Sequence, residues 1–360
     1  MSIISRDIIN KDIQFTVYGR REKERVFSYS TLSDAIDIAK TYLIKEYNVK
    51  SGDKVLLCPN EFYIVWFFAF SELGLTLIVS MSHNPTIYKS VTDKYGNIDH
   101  VIMNLNSTSY VIVETKYQEI LIDAQVLSIY TDNEHKDEVW ATPDTILTWS
   151  ISETNVKRYN YTHHLHTHEF YHRLMFRNIK ILNLVKEDRC THSKILHHGS
   201  SLGTFFLPTI NRCDHHFWIT TRDNWYDTLV EDKITKCLFM YYDTLEFRYK
   251  NHSQIKDLSS LTIYVLRTPT PREAEYYVKK CNATMVSIFG TTATSGPIFL
   301  QEINNSNCDA FDSSLFGAPL DNFYDLSLDH HCLTVKLYNG TTFNTGDVFK
   351  IVNDQYFLTV

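Results

Sequence analysis

Glycine and proline are scarce in this 360-residue chain, at 11 and 8. Few glycines leave few places where the backbone can take a positive φ or approach a phosphate closely. Positive charge is not in excess either. Thirty-five Lys and Arg against 42 Asp and Glu give a net charge of −7, which removes the basic footprint expected of a nucleic-acid binder. The seven cysteines, at 58, 190, 213, 237, 281, 308 and 332, include no Cys-x-x-Cys pair. An odd, scattered set reads as reduced, buried thiols in an intracellular compartment. No hydrophobic run is long enough to cross a bilayer: the longest, Phe62 to Val79, is broken by Ser71, Glu72 and Gly74, and reads as a buried helix followed by a strand. Charges interrupt the N-terminal residues where a signal peptide needs an apolar core. A soluble cytoplasmic protein is the expectation.

What is abundant is aromatic: 23 Tyr and 21 Phe, within 44% hydrophobic and 21% charged residues. That mixture is ordinary for a globular protein and suits packing surfaces better than phosphate clefts. The length exceeds one typical domain. Residues 13–29 alternate loosely and predict a first hairpin around Gly19-Arg20. Thr31 with Asp34 predicts a helix start, and Leu32, Ala35, Ile36, Ala39, Tyr42 and Leu43 continue at helical spacing to about Tyr47. Ser51-Gly52-Asp53 turns into a strand over 54–58. A helix from about Glu61 to Leu73 and a strand over 76–80 then complete a βαβ unit. Further strands are predicted at 110–114, 144–149, 216–219, 262–267 and 284–290, with Pro271 opening a helix that ends at Cys281-Asn282. Turn residues at Asn339-Gly340 and Asn353-Asp354 divide the last strands into an antiparallel meander.

Between the strand ending at Trp149 and apolar positions Leu165, Phe170 and Leu174, which predict a helix, lies a polar stretch, Ser150-Ile-Ser-Glu-Thr-Asn-Val-Lys-Arg-Tyr-Asn-Tyr-Thr-His163. A Ser/Thr/Lys loop between a strand and a helix is where α/β proteins hold phosphates. This one resembles the Ser-Gly-Thr-Thr-Gly-x-Pro-Lys-Gly…Thr-His loop of adenylate-forming enzymes, the superfamily of acyl-CoA synthetases, peptide-synthetase adenylation domains and luciferases. Ser150, Ser152, Lys157 and Thr162-His163 fall on its polar positions, and Ile151, Thr154 and Arg158 fall on its glycines. Tyr29-Ser-Thr-Leu32, Gly52-Asp53-Lys54-Val55 and Leu73-Gly74 are similar to further family positions. So are Phe289-Gly-Thr-Thr-Ala293, for Tyr-Gly-x-Thr-Glu, and Thr345-Gly346-Asp347, for Thr-Gly-Asp.

The resemblance implies an α/β fold of two doubly wound βα subdomains plus a small antiparallel meander or barrel. One N-terminal-type domain spans 1–360, with subdomains at about 1–150, 151–310 and 311–360. Past Asp354-Gln-Tyr356 nothing resembles the Gly-Arg hinge, so the lid domain and its catalytic lysine are expected to be absent. The nucleotide-binding positions it implies are Ser150, Ser152, Lys157, Thr291, Thr292 and Asp347, with His198 of the Leu-His-His-Gly199 run beside an acyl pocket. It implies no catalytic residue within the chain.

Physics weighs against the usual chemistry. A β-branched Ile151 is disfavoured at positive φ, and Thr154 is little better. Glu153 at ~4 Å from a phosphate charge costs about 4 kcal/mol per unit charge at an effective dielectric of ~20. Ala293 stands where the family has a glutamate that helps hold Mg²⁺, and it has no ligand atom. Bulky Arg267 stands in place of a glycine beside the adenine. His164, His168 and His172 would line one helix face at i, i+4, i+8, a spacing that can chelate a metal. With no Cys or Asp to complete the set, they read as solvated or core histidines. The expectation is a catalytically degenerate adenylate-forming fold serving as a structural or interaction subunit. It would have a protein partner, no required cofactor, no metal, no nucleic acid and no membrane span. The alternative is an ATP- and Mg-dependent carboxylate-activating ligase completed by a separate chain. A nucleotide or acyl-adenylate sensor is a third reading, and a His-run hydrolase a distant fourth.

Overall fold

A computed structural model describes residues 3–18, 25–57, 63–80, 99–103, 118–121, 135–154, 160–192, 201–219, 225–239, 255–266 and 268–359. These residues form an α/β structure with two largely parallel sheets and one small antiparallel sheet. The contacts divide the chain into two units. The first holds Met1–Asp12, Phe27–Arg177 and Ile195–Leu202, and the second Ile13–Val26, Asn178–Lys194 and Gly203–Val360.

In the first unit, strands β3 (Lys54–Leu57), β4 (Thr76–Ser80), β5 (His100–Met103), β6 (Gln118–Leu121), β7 (Ile146–Thr154) and β8 (Asn160–Thr167) form a sheet in the order β6-β5-β3-β4-β7-β8. All neighbours are parallel except β7 and β8. The β3 and β4 pair is joined by α2 (Tyr63–Glu72), the predicted βαβ unit. Every residue of α2 is buried, which explains a helix apolar on all sides. Among the described residues no helix is long and apolar enough to cross a membrane. Helix α1 (Tyr29–Tyr47) starts three residues earlier than the Thr31 cap predicted, because Ser28 Oγ accepts the Thr31 N–H. It ends on Asn48 at φ +49°.

The larger sheet is built from β1 (Gln14–Tyr18), β2 (Arg25–Ser28), β9 (Arg189–His192), β10 (His215–Ile219), β11 (Lys236–Phe239), β12 (Thr262–Val265), β13 (Thr284–Phe289) and β14 (Phe299–Ile303), all in the second unit but for Phe27 and Ser28 of β2. Its order is β14-β13-β12-β11-β9-β10-β1-β2. Strands β5, β6, β8, β9, β11 and β14 were not predicted; all but β8 are four or five residues long and too short to show a periodicity. The predicted strand at 110–114 lies outside the described residues. Pro271 opens a helical segment as predicted, with Thr270 and Glu273 closing a capping box. The small sheet follows the order β15-β19-β18-β17-β16, built from β15 (Leu315–Gly317), β16 (Asp325–Asp329), β17 (Cys332–Lys336), β18 (Thr342–Val352) and β19 (Gln355–Leu358). Asn353 and Asp354, at φ +49° and +61°, make the two-residue turn between β18 and β19. His330 and His331, at φ +47° and +69°, do the same between β16 and β17. Of the described cysteines, 190, 213, 237 and 281 are buried free thiols, while 308 and 332 are only partly buried.

The N-terminal segment is fastened into the first unit by buried charge. The Arg6 guanidinium donates to Glu72 through Nε at 2.8 Å and Nη2 at 2.6 Å, and Nη2 lies 2.6 Å from Asp37 Oδ1. Lys40 Nζ, fully buried, donates to Glu72 Oε2 at 3.0 Å and to the Lys136 carbonyl at 3.2 Å. Burial alone would raise the Glu72 carboxyl; the hydrogen bonds and charge of Arg6, with Lys40, outweigh it and hold the group below its ordinary value. Removing one member leaves the others as uncompensated buried charge. Arg6→Ala is therefore expected to lower unfolding free energy by about 3–5 kcal/mol in urea titrations. Lys11→Ala, at the exposed pair with Asp7, should change it by less than about 1 kcal/mol. Because the Glu72 value is depressed on folding, its contribution is full above the unfolded value of about 4.3 and fades as pH falls through the folded one.

Candidate functional site

The predicted site residues fall into two groups, one in each unit. Ser150 and Ser152 lie on β7, and the predicted loop around them is strand. Ser150 pairs with His164 and Ser152 with Thr162, and the antiparallel ladder continues to Thr154 against Asn160. On the other side β7 pairs with β4 as far as Ser80 against Ile151. Residues 150 and 151 thus have strand partners on both sides, and residues 152–154 are paired with β8. Lys157 and His198 lie outside the described residues, as does Arg267.

This pairing also moves the helix predicted from Leu165. Residues 160–167 extend as β8, and α3 (His168–Ile181) begins at His168, with Thr167 Oγ1 accepting the Phe170 N–H. His164 is therefore on a strand while His168 and His172 are on a helix, so the three do not share a helix face. His168 is buried, and its Nδ1 accepts the Ile4 N–H at 3.0 Å. Burial lowers its pKa to about 4. Among the described residues no group of three His, Cys, Asp or Glu is placed to hold a metal ion.

Thr291, Thr292 and Asp347 share the second unit. Strand β13 ends at Phe289, and Gly290 leads into a tight turn over Thr291–Gly296. Thr291 N–H donates to Thr294 Oγ1 at 2.9 Å, and the single proton of that hydroxyl has two acceptors in reach, the Gly296 carbonyl at 2.9 Å and the Thr291 carbonyl at 3.0 Å. Ser295 Oγ donates to the Thr292 carbonyl at 3.2 Å. A Cβ on residue 290 would sit 2.3 Å from the Gly296 carbonyl oxygen, so only glycine fits there. Ala293, in the same turn, is 2% exposed. It presents a buried methyl where the resemblance has a metal-holding glutamate, and this position does not fit Mg²⁺.

Asp347 sits on β18 beside a bulge. Cys332 pairs with Val348 and Thr334 with Asn344, so three residues of β18, 345–347, oppose Leu333 alone of β17. Gly346 takes φ +80° there, and its N–H donates to Asn344 Oδ1 at 2.8 Å. The Asp347 N–H donates to Thr345 Oγ1 at 3.1 Å. Burial raises the Asp347 carboxyl, and the Thr345 hydroxyl works against that shift. Phe349, two residues on, packs with its ring 5.3 Å from that of Phe289. The same cluster contains Phe299, Phe316 and Tyr356, and Tyr324 Oη donates to the Thr294 carbonyl at 3.0 Å. Aromatic packing thus joins the Thr291–Gly296 turn to the strand that carries Asp347.

No family model and no curated protein matches the sequence. Solved structures do match. A long-chain-fatty-acid-CoA ligase from Archaeoglobus fulgidus superposes with a TM-score of 0.80 over 100% of this chain and 84% of its own, at 13% identity. The fold is that of the N-terminal domain of adenylate-forming enzymes. The adenylation domain of a keto acid-selecting NRPS module, bound to keto acyl adenylate, gives a TM-score of 0.78 at 13% identity, covering 98% of this chain and 78% of its own. O-succinylbenzoate coenzyme A synthetase from Bacillus subtilis, in complex with ATP and magnesium ion, gives 0.76 at 14%, covering 96% and 76%. At these identities the likeness concerns the fold.

Sequence reading passed over a buried histidine pair in the second unit. His192 ends β9 and His216 lies on β10, with ring centroids 5.1 Å apart and Phe206 beside both. His216 Nδ1 lies 3.4 Å from Thr209 Oγ1. Burial lowers His192 to about 4, and burial followed by the His192 charge puts His216 well below its ordinary value. The dipeptide His215-His216 was visible, but nothing in it tells the buried ring from the half-exposed one. A test of the turn follows from Gly290. Gly290→Ala must displace the Gly296 backbone and is expected to cost about 1–3 kcal/mol. An unchanged thermal midpoint would mean the turn is not closed in this way.

Proposed function

We propose that this chain is a catalytically degenerate protein of adenylate-forming fold, acting in the cytoplasm as a structural or interaction subunit with a protein partner. The observation that carries this reading is the hairpin. Of the positions aligned with the family's phosphate loop, 150–158, the described ones, 150–154, are strand paired with β8, and none of the nine is a glycine. A phosphate cradle needs several N–H groups turned on one anion. Buried Ala293 supports the same reading, since it leaves Mg²⁺ without that ligand. The test is calorimetric titration of the purified chain with ATP and with AMP, with and without Mg²⁺. No heat of binding is expected. Micromolar binding that disappears in Asp347→Ala would overturn the reading.

One observation favours a second reading, a carboxylate-activating ligase completed by a separate chain. The Thr345-Gly346-Asp347 bulge presents a half-buried carboxylate on the face of β18 that packs on the aromatic cluster. On that reading Thr291, Thr292 and Asp347 hold nucleotide, and pyrophosphate is released from ATP with one member of a carboxylate panel once a lysine-bearing partner is added. Absence of pyrophosphate with every acid, partner included, would remove it.

A further inference from the structure

The clearest arrangement of reactive groups that the nucleotide positions do not use is a cysteine pair in the second unit. Cys190 is the second residue of β9, and Cys213 follows α4 (Leu207–Arg212), where its N–H closes the helix on the Thr209 carbonyl. The two side chains meet under the sheet. The Cys190 thiol donates to Cys213 Sγ at 3.5 Å, and both residues are fully buried. They share a cluster with Leu182, Leu184, Phe205 and Leu238. We propose that Cys190 and Cys213 form a reversible dithiol–disulfide pair that ties β9 covalently to the end of α4. A disulfide needs the sulfurs at ~2.05 Å, so closure asks for a movement of ~1.5 Å between side chains already in contact.

The oxidant is a small hydroperoxide, hydrogen peroxide being the simplest. One sulfur attacks the peroxide: an S–O bond forms, the O–O bond breaks, and the departing oxygen leaves as water once protonated. The second sulfur then attacks the sulfenic sulfur, forming the S–S bond and releasing the other oxygen as water. Two thiols are oxidised by two electrons and the peroxide is reduced to two waters. Burial, then the contact with Cys213, pushes the Cys190 thiol up, so the reaction waits on local opening and is slow at neutral pH. The consequence is local. The link closes the chain around the turn Leu202–Phe206 and α4, which supply the Phe206 and Thr209 contacts to the buried histidines.

The test is peptide mapping of the full chain, oxidised with hydrogen peroxide while folded, then alkylated under denaturing conditions. The expected result is a peptide pair joined through Cys190 and Cys213, two hydrogens lighter than the thiols and split by dithiothreitol. Cys213→Ser should abolish it. Recovery of both cysteines as alkylated thiols, while the more accessible Cys308 and Cys332 have been oxidised, would overturn the proposal. So would a 190–213 link that forms only when the chain is oxidised in denaturant. The outcome does not depend on whether nucleotide binds.

Discussion

The second unit depends on the packing of Phe289 against Phe299, Phe316 and Phe349. These rings lie 5.1–5.8 Å from Phe289 and come from the larger sheet, from β15 and from β18. Each aromatic contact contributes roughly 0.5–1.5 kcal/mol beyond the area it buries. Together they fix the small sheet against the end of β13, and the Tyr324 hydroxyl adds a directional bond to the Thr294 carbonyl. Any chemistry available to Thr291, Thr292 or Asp347 is set by this packing together with the hydrogen bonds inside the Thr291–Gly296 turn.

The first unit makes the opposite use of its central stretch. Inside a strand, alternate N–H groups are spent on each neighbour, and a cradle for an anion requires consecutive ones to converge. Glycine relieves that conflict, and the stretch 150–158 contains none.

The sequence made the scaffold legible where a signal was local and strong. Gly52-Asp53 before β3, Leu73-Gly74 before β4, Pro271 after Thr270 and the Asn353-Asp354 turn all mark the boundaries the structure has. It misled where two periods overlap. Leu165, Phe170 and Leu174 fit a helix, yet residues 160–167 are strand because pairing with β7 outweighs their spacing. Strands of four residues such as β9 and β11 carry too few positions to alternate, and their burial on both faces comes from neighbours far along the chain. The N-terminal anchor was illegible for a similar reason. Arg6, Asp37, Lys40 and Glu72 lie up to 66 residues apart, and only folding shows that they form one charge cluster. The buried pairs His192 with His216 and Cys190 with Cys213 were hidden in the same way.

The glycines of the family pattern that survive in the second unit are those the backbone itself requires. Gly290 is needed because the Gly296 carbonyl leaves no room for a Cβ, whatever the ligand. Gly346 is needed because β18 bulges against β17 and the chain must take φ +80° to rejoin the ladder. Asp347 follows that bulge with its N–H on Thr345 Oγ1, a bond any residue there could make, and its carboxyl is half-buried. The parts that are missing are the three loop glycines and the glutamate at 293. At the described positions, 150–154 are strand and a buried methyl stands at 293. The proposed reading, a fold kept for its shape, rests on that division. It also weakens Thr-Gly-Asp as a nucleotide signal in this chain, since the sheet alone accounts for its glycine.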